Sequence, residues 1–174
     1  MKFPKPFTEK GSDHVYAVIE TPKGSRNKYD YKPELDLYQL CKVLPAGTCF
    51  PLDFGFIPHT LAADGDPLDI LVMTDAPAHM GCIIECKVIG VFEATQKEKG
   101  KKAERNDRLL AVSIPSLDHA GIKNIKDVNK HFIDELVHFF EYYNMMCGKK
   151  FKLIGIKGPE AALALIKKQI SNKA

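Results

Sequence analysis

CIIECKVIGVFEATQKEKGKKAERNDRLLAVSI, residues 82–114, is the stretch whose reading decides the fold. Its first part, Cys82 to Phe92, has strand composition and is long, with Gly90 read as a bulge or bend rather than an end. Glu93 to Arg108 is almost wholly charged or polar, and a second apolar strand, Leu109 to Ile114, follows at once. This predicts a hairpin with a long solvated tip, entered past Pro77 and Gly81.

Working toward the N-terminus, Ile70 to Met73 is a short apolar run that reads as a buried strand. Immediately before it stands Asp64-Gly65-Asp66-Pro67-Leu68-Asp69, and before that the aromatic, turn-rich segment Phe50 to Phe56. The acids therefore sit where a loop enters a sheet. Earlier still, Val15 to Glu20 alternates, with Tyr16, Val18 and Glu20 on one face. After Pro22 and Gly24, Lys28 to Tyr31 and Leu35 to Leu40 alternate as well, so a three-strand meander is expected.

Toward the C-terminus the period changes. Phe132, Leu136, Phe140 and Tyr143 recur at helical spacing from about Asp127 to Gly148. Alternation returns over Lys150 to Ile156, and Gly158-Pro159-Glu160 opens a last helix with Ala162, Leu163, Ile166 and Ile170 on one stripe. Many strands with short links and two late helices predict a single α+β domain over residues 1–174, with a small, strongly curved or closed sheet.

At 174 residues, 45% hydrophobic and 27% charged, the composition is ordinary globular usage. A net charge of +3 is too mild to indicate nucleic acid as a partner, and no strand face interleaves aromatic with basic residues. Five cysteines without a C-x-x-C pair suggest reduced thiols in a cytoplasm. No apolar run approaches the roughly 18 residues of a membrane span, and the N-terminus lacks a signal-peptide core.

Three carboxylates within six residues, with no base among them, call for a cation. Carboxylate oxygens select Mg²⁺ or Mn²⁺, whereas zinc would want the histidines and thiolates this loop lacks. A calcium hand fits poorly: counted from Asp64, the sharp-turn glycine is missing and Asp75 stands where a bidentate glutamate belongs. Asp66, held by the stiff Pro67 between the other two, is the natural base for a water attacking a phosphoanhydride.

Asp64 to Ile70 matches the signature of the soluble family I inorganic pyrophosphatases. Glu20, Lys28-Tyr29, the run from Phe50 to Thr60, Ile125 to Val128 and His138 to Tyr143 resemble family segments in family order. The resemblance implies a Mg²⁺-dependent (or Mn²⁺-dependent) hydrolase that splits pyrophosphate into two orthophosphates. It implies a small closed five-stranded, OB-like β-barrel with two main helices outside, and a homo-oligomer. Carried over by position, Asp64 and Asp69 become metal ligands, Asp66 the base and Glu20 an outer-shell acid. Lys28, Lys42, Arg108 and Tyr143 would hold phosphate, Tyr143 also taking part in catalysis.

Several positions depart from the family pattern. Lys42 stands for an arginine, Phe54 for a tyrosine, Asn144 for a lysine and Asp30 for a glutamate. In the hairpin, the family's outgoing aspartate reads Gln96, and the returning one reads Asn106 with Asp107 one residue late. A one-residue shift flips a side chain across a strand unless a bulge restores it. The expectation is that such a bulge brings Asp107 to the metal, the alternative being a neutral carbonyl ligand from Asn106. The lysine-rich tip reads as solvated, and His59 and His138 as packing or capping residues. The rival to an active enzyme is a weakened or inactive relative that still binds phosphate.

Overall fold

The computed structural model describes residues 2–170, so the outermost residues of the expected 1–174 domain lie outside the described residues. Its strands are β1 (His14–Thr21), β2 (Asn27–Lys32), β3 (Leu37–Val43), β4 (Asp53–Phe56), β5 (Asp69–Met73), β6 (Ile83–Glu98), β7 (Glu104–Arg105), β8 (Arg108–Ser113) and β9 (Lys149–Lys157). Two α-helices, α1 (Lys130–Met146) and α2 (Pro159–Gln169), flank β9. The class is α+β, as the late change of period predicts.

Pairing runs from β1 to β4, β5, β8 and β6, and β6 pairs back onto β1, so five strands form a ring of hydrogen-bonded neighbours. Every pair in it is antiparallel except β5 with β8, which are parallel. The expected meander does not form. Strands β2 and β3 make a separate two-stranded sheet, while β1 lies between β4 and β6. The reason is burial: β1 is closed off on both faces from Ala17 to Thr21 and has both edges paired, whereas β2 and β3 stay half wet.

The hairpin of β6 and β8 forms, but β6 continues past Phe92 to Glu98 and pairs there with β7 and β9, so part of the stretch read as a solvated tip is strand. The β6–β8 register slips between Val88 and Gly90, and a Cβ on Gly90 would come within 2.7 Å of both Ile125 Cβ and the Lys157 carbonyl oxygen. Strand β4 falls in the segment that Pro51 and Gly55 make look like a turn. Gly55 is there for close approach: a Cβ would stand 1.9 Å from the Val18 carbonyl oxygen of the paired strand.

Alternation divides the core. Ile70 and Val72 of β5 join Val15, Ile19 and Leu109 in one cluster, which Ala162 and Ile166 of α2 complete. Leu71 and Met73 face the other way, with Leu110 and Val112, beneath Ile133, Leu136 and Phe140 of α1. Asn129 caps α1 by accepting the His131 N–H, and Pro159 occupies the first turn of α2. Packing α1 on this face brings Phe140, Tyr143 and Asn144 to the open end of β5 and β8.

Gly55→Ala is expected to cost about 3 kcal/mol or more, because the clash is with backbone that cannot rotate away. Urea denaturation checks this; a variant as stable as the wild type would contradict the close packing of β1 on β4.

Candidate active site

The acid loop is anchored by its one apolar member. Leu68 is buried, donates its N–H to Thr60 Oγ1 at 2.9 Å and accepts from Ile57 N–H at 3.0 Å. Gly65 takes a φ of 91°, and Asp64 Oδ1 accepts the Asp66 N–H at 3.3 Å. The turn leaves Asp64 and Asp66 exposed, while Asp69, at the start of β5, is half-buried. Burial raises Asp66, and the charges of Asp64 and Asp30 add to it. Asp69 is pushed up to about 7, because burial outweighs the pull of Arg108 and Lys28.

Opposite the acids stand buried cations. Asp69 is the in-register neighbour of Arg108, whose Nε lies 3.7 Å from Asp69 Oδ2. The Arg108 guanidinium sits 4.3 Å from the Phe140 ring centre and 5.4 Å from that of Phe151, and its Nε has no hydrogen-bond partner. Lys28, only 8% exposed, donates to Asp30 Oδ1 at 2.5 Å, to the Tyr29 carbonyl at 2.7 Å and to Glu20 Oε2 at 3.3 Å. It also lies 4.7 Å above the Phe54 ring.

Burial works against the Lys28 ammonium, but Glu20 and Asp30 outweigh it and raise its pKa. Burial likewise dominates at Glu20 and raises it, despite Lys28 and the Tyr31 N–H at 2.7 Å. Lys42 donates to Cys147 Sγ at 3.2 Å and lies 5.3 Å from the Tyr143 ring centre. Burial keeps the Tyr143 phenol protonated well beyond its usual range. Asn144 is buried, spends its amide N–H on the Phe140 carbonyl at 2.8 Å and leaves Oδ1 without a partner.

In the hairpin the expected bulge is not there. Thr95 pairs with Arg105 and Phe92 with Arg108, so no extra residue is inserted between them although 106 and 107 leave the ladder; Asn106 and Arg108 line the groove and Asp107 does not. Asp107 is consumed outside it: Oδ1 accepts from the Ala94 N–H at 2.9 Å and from Arg105 Nε at 2.8 Å. Asn106 faces the loop instead, donating Nδ2 to Asp64 Oδ2 at 2.7 Å, and its Oδ1 is buried without a partner. Asp107, expected to reach the metal through a bulge, is here engaged by the Ala94 N–H and Arg105.

These groups line one groove of about 1570 Å³, with Glu20, Lys28, Asp30, Lys42, Asp66, Asp69, Gln96, Asn106, Arg108 and Tyr143 on its walls. Asp64 borders it through Asn106. Among the described residues no three His, Cys, Asp or Glu side chains are grouped closely enough to hold a metal by themselves. The donors nevertheless suit Mg²⁺, which keeps several waters and leans on one or two carboxylates together with phosphate oxygens. The unpartnered Asn106 Oδ1 is a further oxygen beside them. Sequence reasoning gave no sign of the two rings against Arg108, since Phe151 comes from β9. It also read Phe54 only as a lost hydroxyl, whereas its ring supports Lys28.

The family model described as inorganic pyrophosphatase matches residues 17–174. The chain is 41% identical over 155 residues to the inorganic pyrophosphatase of Thermus thermophilus, covering 88% of this chain and 85% of that one. It is 38% identical over 152 residues to the inorganic pyrophosphatase of Geobacillus stearothermophilus, covering 87% and 89%. A crystal structure of the Thermus thermophilus enzyme superposes with a TM-score of 0.86 at 37% identity, over 95% of this chain and 94% of that one.

Lys28→Met leaves Glu20 buried without its cation, and near neutral pH it is expected to lower stability by about 3 kcal/mol in urea melts. Because folding raises the Lys28 pKa above 10.5, the stability its ammonium contributes is complete below that pH and is lost as pH rises past the folded value. The gap between wild type and variant should therefore close in strong alkali. A gap independent of pH would contradict the assignment.

Proposed function

This chain belongs to the inorganic pyrophosphatase family, and from that premise we propose that it hydrolyses inorganic pyrophosphate to two orthophosphates with Asp66 as the base. The observation that carries the reading is the groove itself, where an acidic loop faces Lys28, Lys42 and Arg108 across a space walled by aromatic rings. Those cations suit the phosphoryl oxygens. Lys28 and Arg108 are held by packing before any substrate arrives, so little ordering is left to do on binding.

Mg²⁺, or Mn²⁺ in its place, held by Asp64 and Asp69, would supply Lewis-acid chemistry: it would neutralise the anhydride oxygens and acidify the attacking water. Asp66 is not spent on any side-chain partner among the described residues, and partial burial, with the charges of Asp64 and Asp30 adding to it, makes it more basic than an ordinary aspartate. It accepts the proton of the attacking water. Tyr143, kept protonated, donates to phosphate oxygen as the charge on the leaving group grows. Glu20 acts at one remove, holding Lys28 in place.

The five-strand ring reads as a small closed OB-like barrel in one domain. Exposed Leu37, Leu40 and Val43 along β3, with Leu35 in the turn before it, support assembly into a homo-oligomer. Five free thiols suit the cytoplasm. No helix among the described residues is long and apolar enough to cross a membrane. Neither nucleic acid nor a membrane is proposed as a partner.

Asp66→Asn tests the assignment. Orthophosphate release should fall by roughly 10²- to 10⁴-fold while the melting temperature stays within a few degrees of wild type. Wild-type turnover in this variant would remove Asp66 from the mechanism.

A further inference from the structure

The hairpin wall of the groove presents amides where a second cation would need acids. Gln96 and Asn106 line it, and the one carboxylate nearby, Asp107, does not line the groove and is bound by Arg105 and a backbone N–H. Asn106 also draws on the loop itself, because its Nδ2 occupies Asp64 Oδ2 at 2.7 Å. That hydrogen bond orients Asp64 and takes one oxygen away from any metal. Asn106 Oδ1 and Arg108 Nε are both buried without a hydrogen-bond partner: the first can take a donor or a cation, the second an acceptor such as a phosphate oxygen.

Charge points the same way. Around the loop, Glu20, Asp30, Asp64, Asp66 and Asp69 face Lys28, Lys32, Lys42 and Arg108. Five carboxylates against four cations leave less spare negative charge than one divalent ion carries. A second ion within several ångströms of the first would sit in net positive surroundings, at a cost the amides cannot offset. Pyrophosphate changes that balance, because it brings several negative oxygens into the same space.

We propose that the substrate-free protein holds a single divalent cation, on Asp64 and Asp69, because Asn106 and Gln96 make the hairpin wall neutral, and that further cations enter chelated by pyrophosphate. The proposal rests on the groove being the pyrophosphatase site, and it concerns metal count, which is measured without turnover. Asn106 is here a positioning residue for Asp64 and a neutral oxygen donor.

Mn²⁺ is the probe, since it shares the oxygen preference of Mg²⁺ and its free form is counted by electron paramagnetic resonance. Titration of the wild-type chain without substrate should show one bound Mn²⁺, and addition of imidodiphosphate, a non-hydrolysable pyrophosphate analogue, should raise the count. Asn106→Asp should create a second substrate-free site, or tighten an existing weak one about tenfold or more. Asp107→Asn should leave the count unchanged, with circular dichroism confirming that both variants fold. Two Mn²⁺ of comparable affinity on the substrate-free wild type would overturn the proposal, as would loss of a bound Mn²⁺ in Asp107→Asn. Orthophosphate release from the same wild-type sample reports separately on the activity.

Discussion

The parallel pairing of β5 with β8 is the constraint on which the site depends, because it sets Asp69 directly beside Arg108. One residue begins the strand leaving the acid loop, and the other begins the strand returning from the hairpin. Backbone hydrogen bonds therefore fix the acidic and basic sides of the groove relative to each other. Slip that register by one and Arg108 would turn toward the opposite core, leaving the acids without a facing cation.

Holding charges this deep is costly, and the fold compensates with rings and carboxylates. Arg108 is only 4% exposed and lies against Phe140 and Phe151, while Lys28 lies over Phe54 with Glu20 and Asp30 around it. A cation on an aromatic face keeps its charge, and at Arg108 the Nε donor stays available to an incoming anion, whereas the three donors of Lys28 are taken by Glu20, Asp30 and the Tyr29 carbonyl. The rings all come from the core beneath α1: α1 supplies Phe140, β9 supplies Phe151 and β4 supplies Phe54. This is why α1 matters to a site whose acids come from strands and loops.

Much of this was legible in the sequence, and the failures have physical causes. The long β6, its break near Gly90 and both helices follow from composition and period. The acid loop and its flanking strand were readable because six consecutive residues carry the pattern. Strand β4 was hidden by Gly55, whose missing side chain serves a neighbouring backbone and carries no local signal. The sheet partners of β1 could not be read from alternation, since its burial on both faces is set by residues far along the chain. Asp107 stands one residue late and would need a bulge to come forward; its carboxylate is instead engaged by Ala94 and Arg105, and Asn106 faces the loop. The two rings against Arg108 lie more than thirty positions along the chain from it, which no motif encodes.

Function then rests on a division of labour across one groove. The loop gives carboxylates to a cation and a proton acceptor to water, and the facing side gives fixed cations and hydrogen-bond donors to phosphate. The most direct measurement is orthophosphate released from pyrophosphate by the purified chain as Mg²⁺ is titrated and then removed with a chelator. Release that rises with Mg²⁺ and stops on chelation is the predicted result. No release with either Mg²⁺ or Mn²⁺ from a folded sample would contradict it.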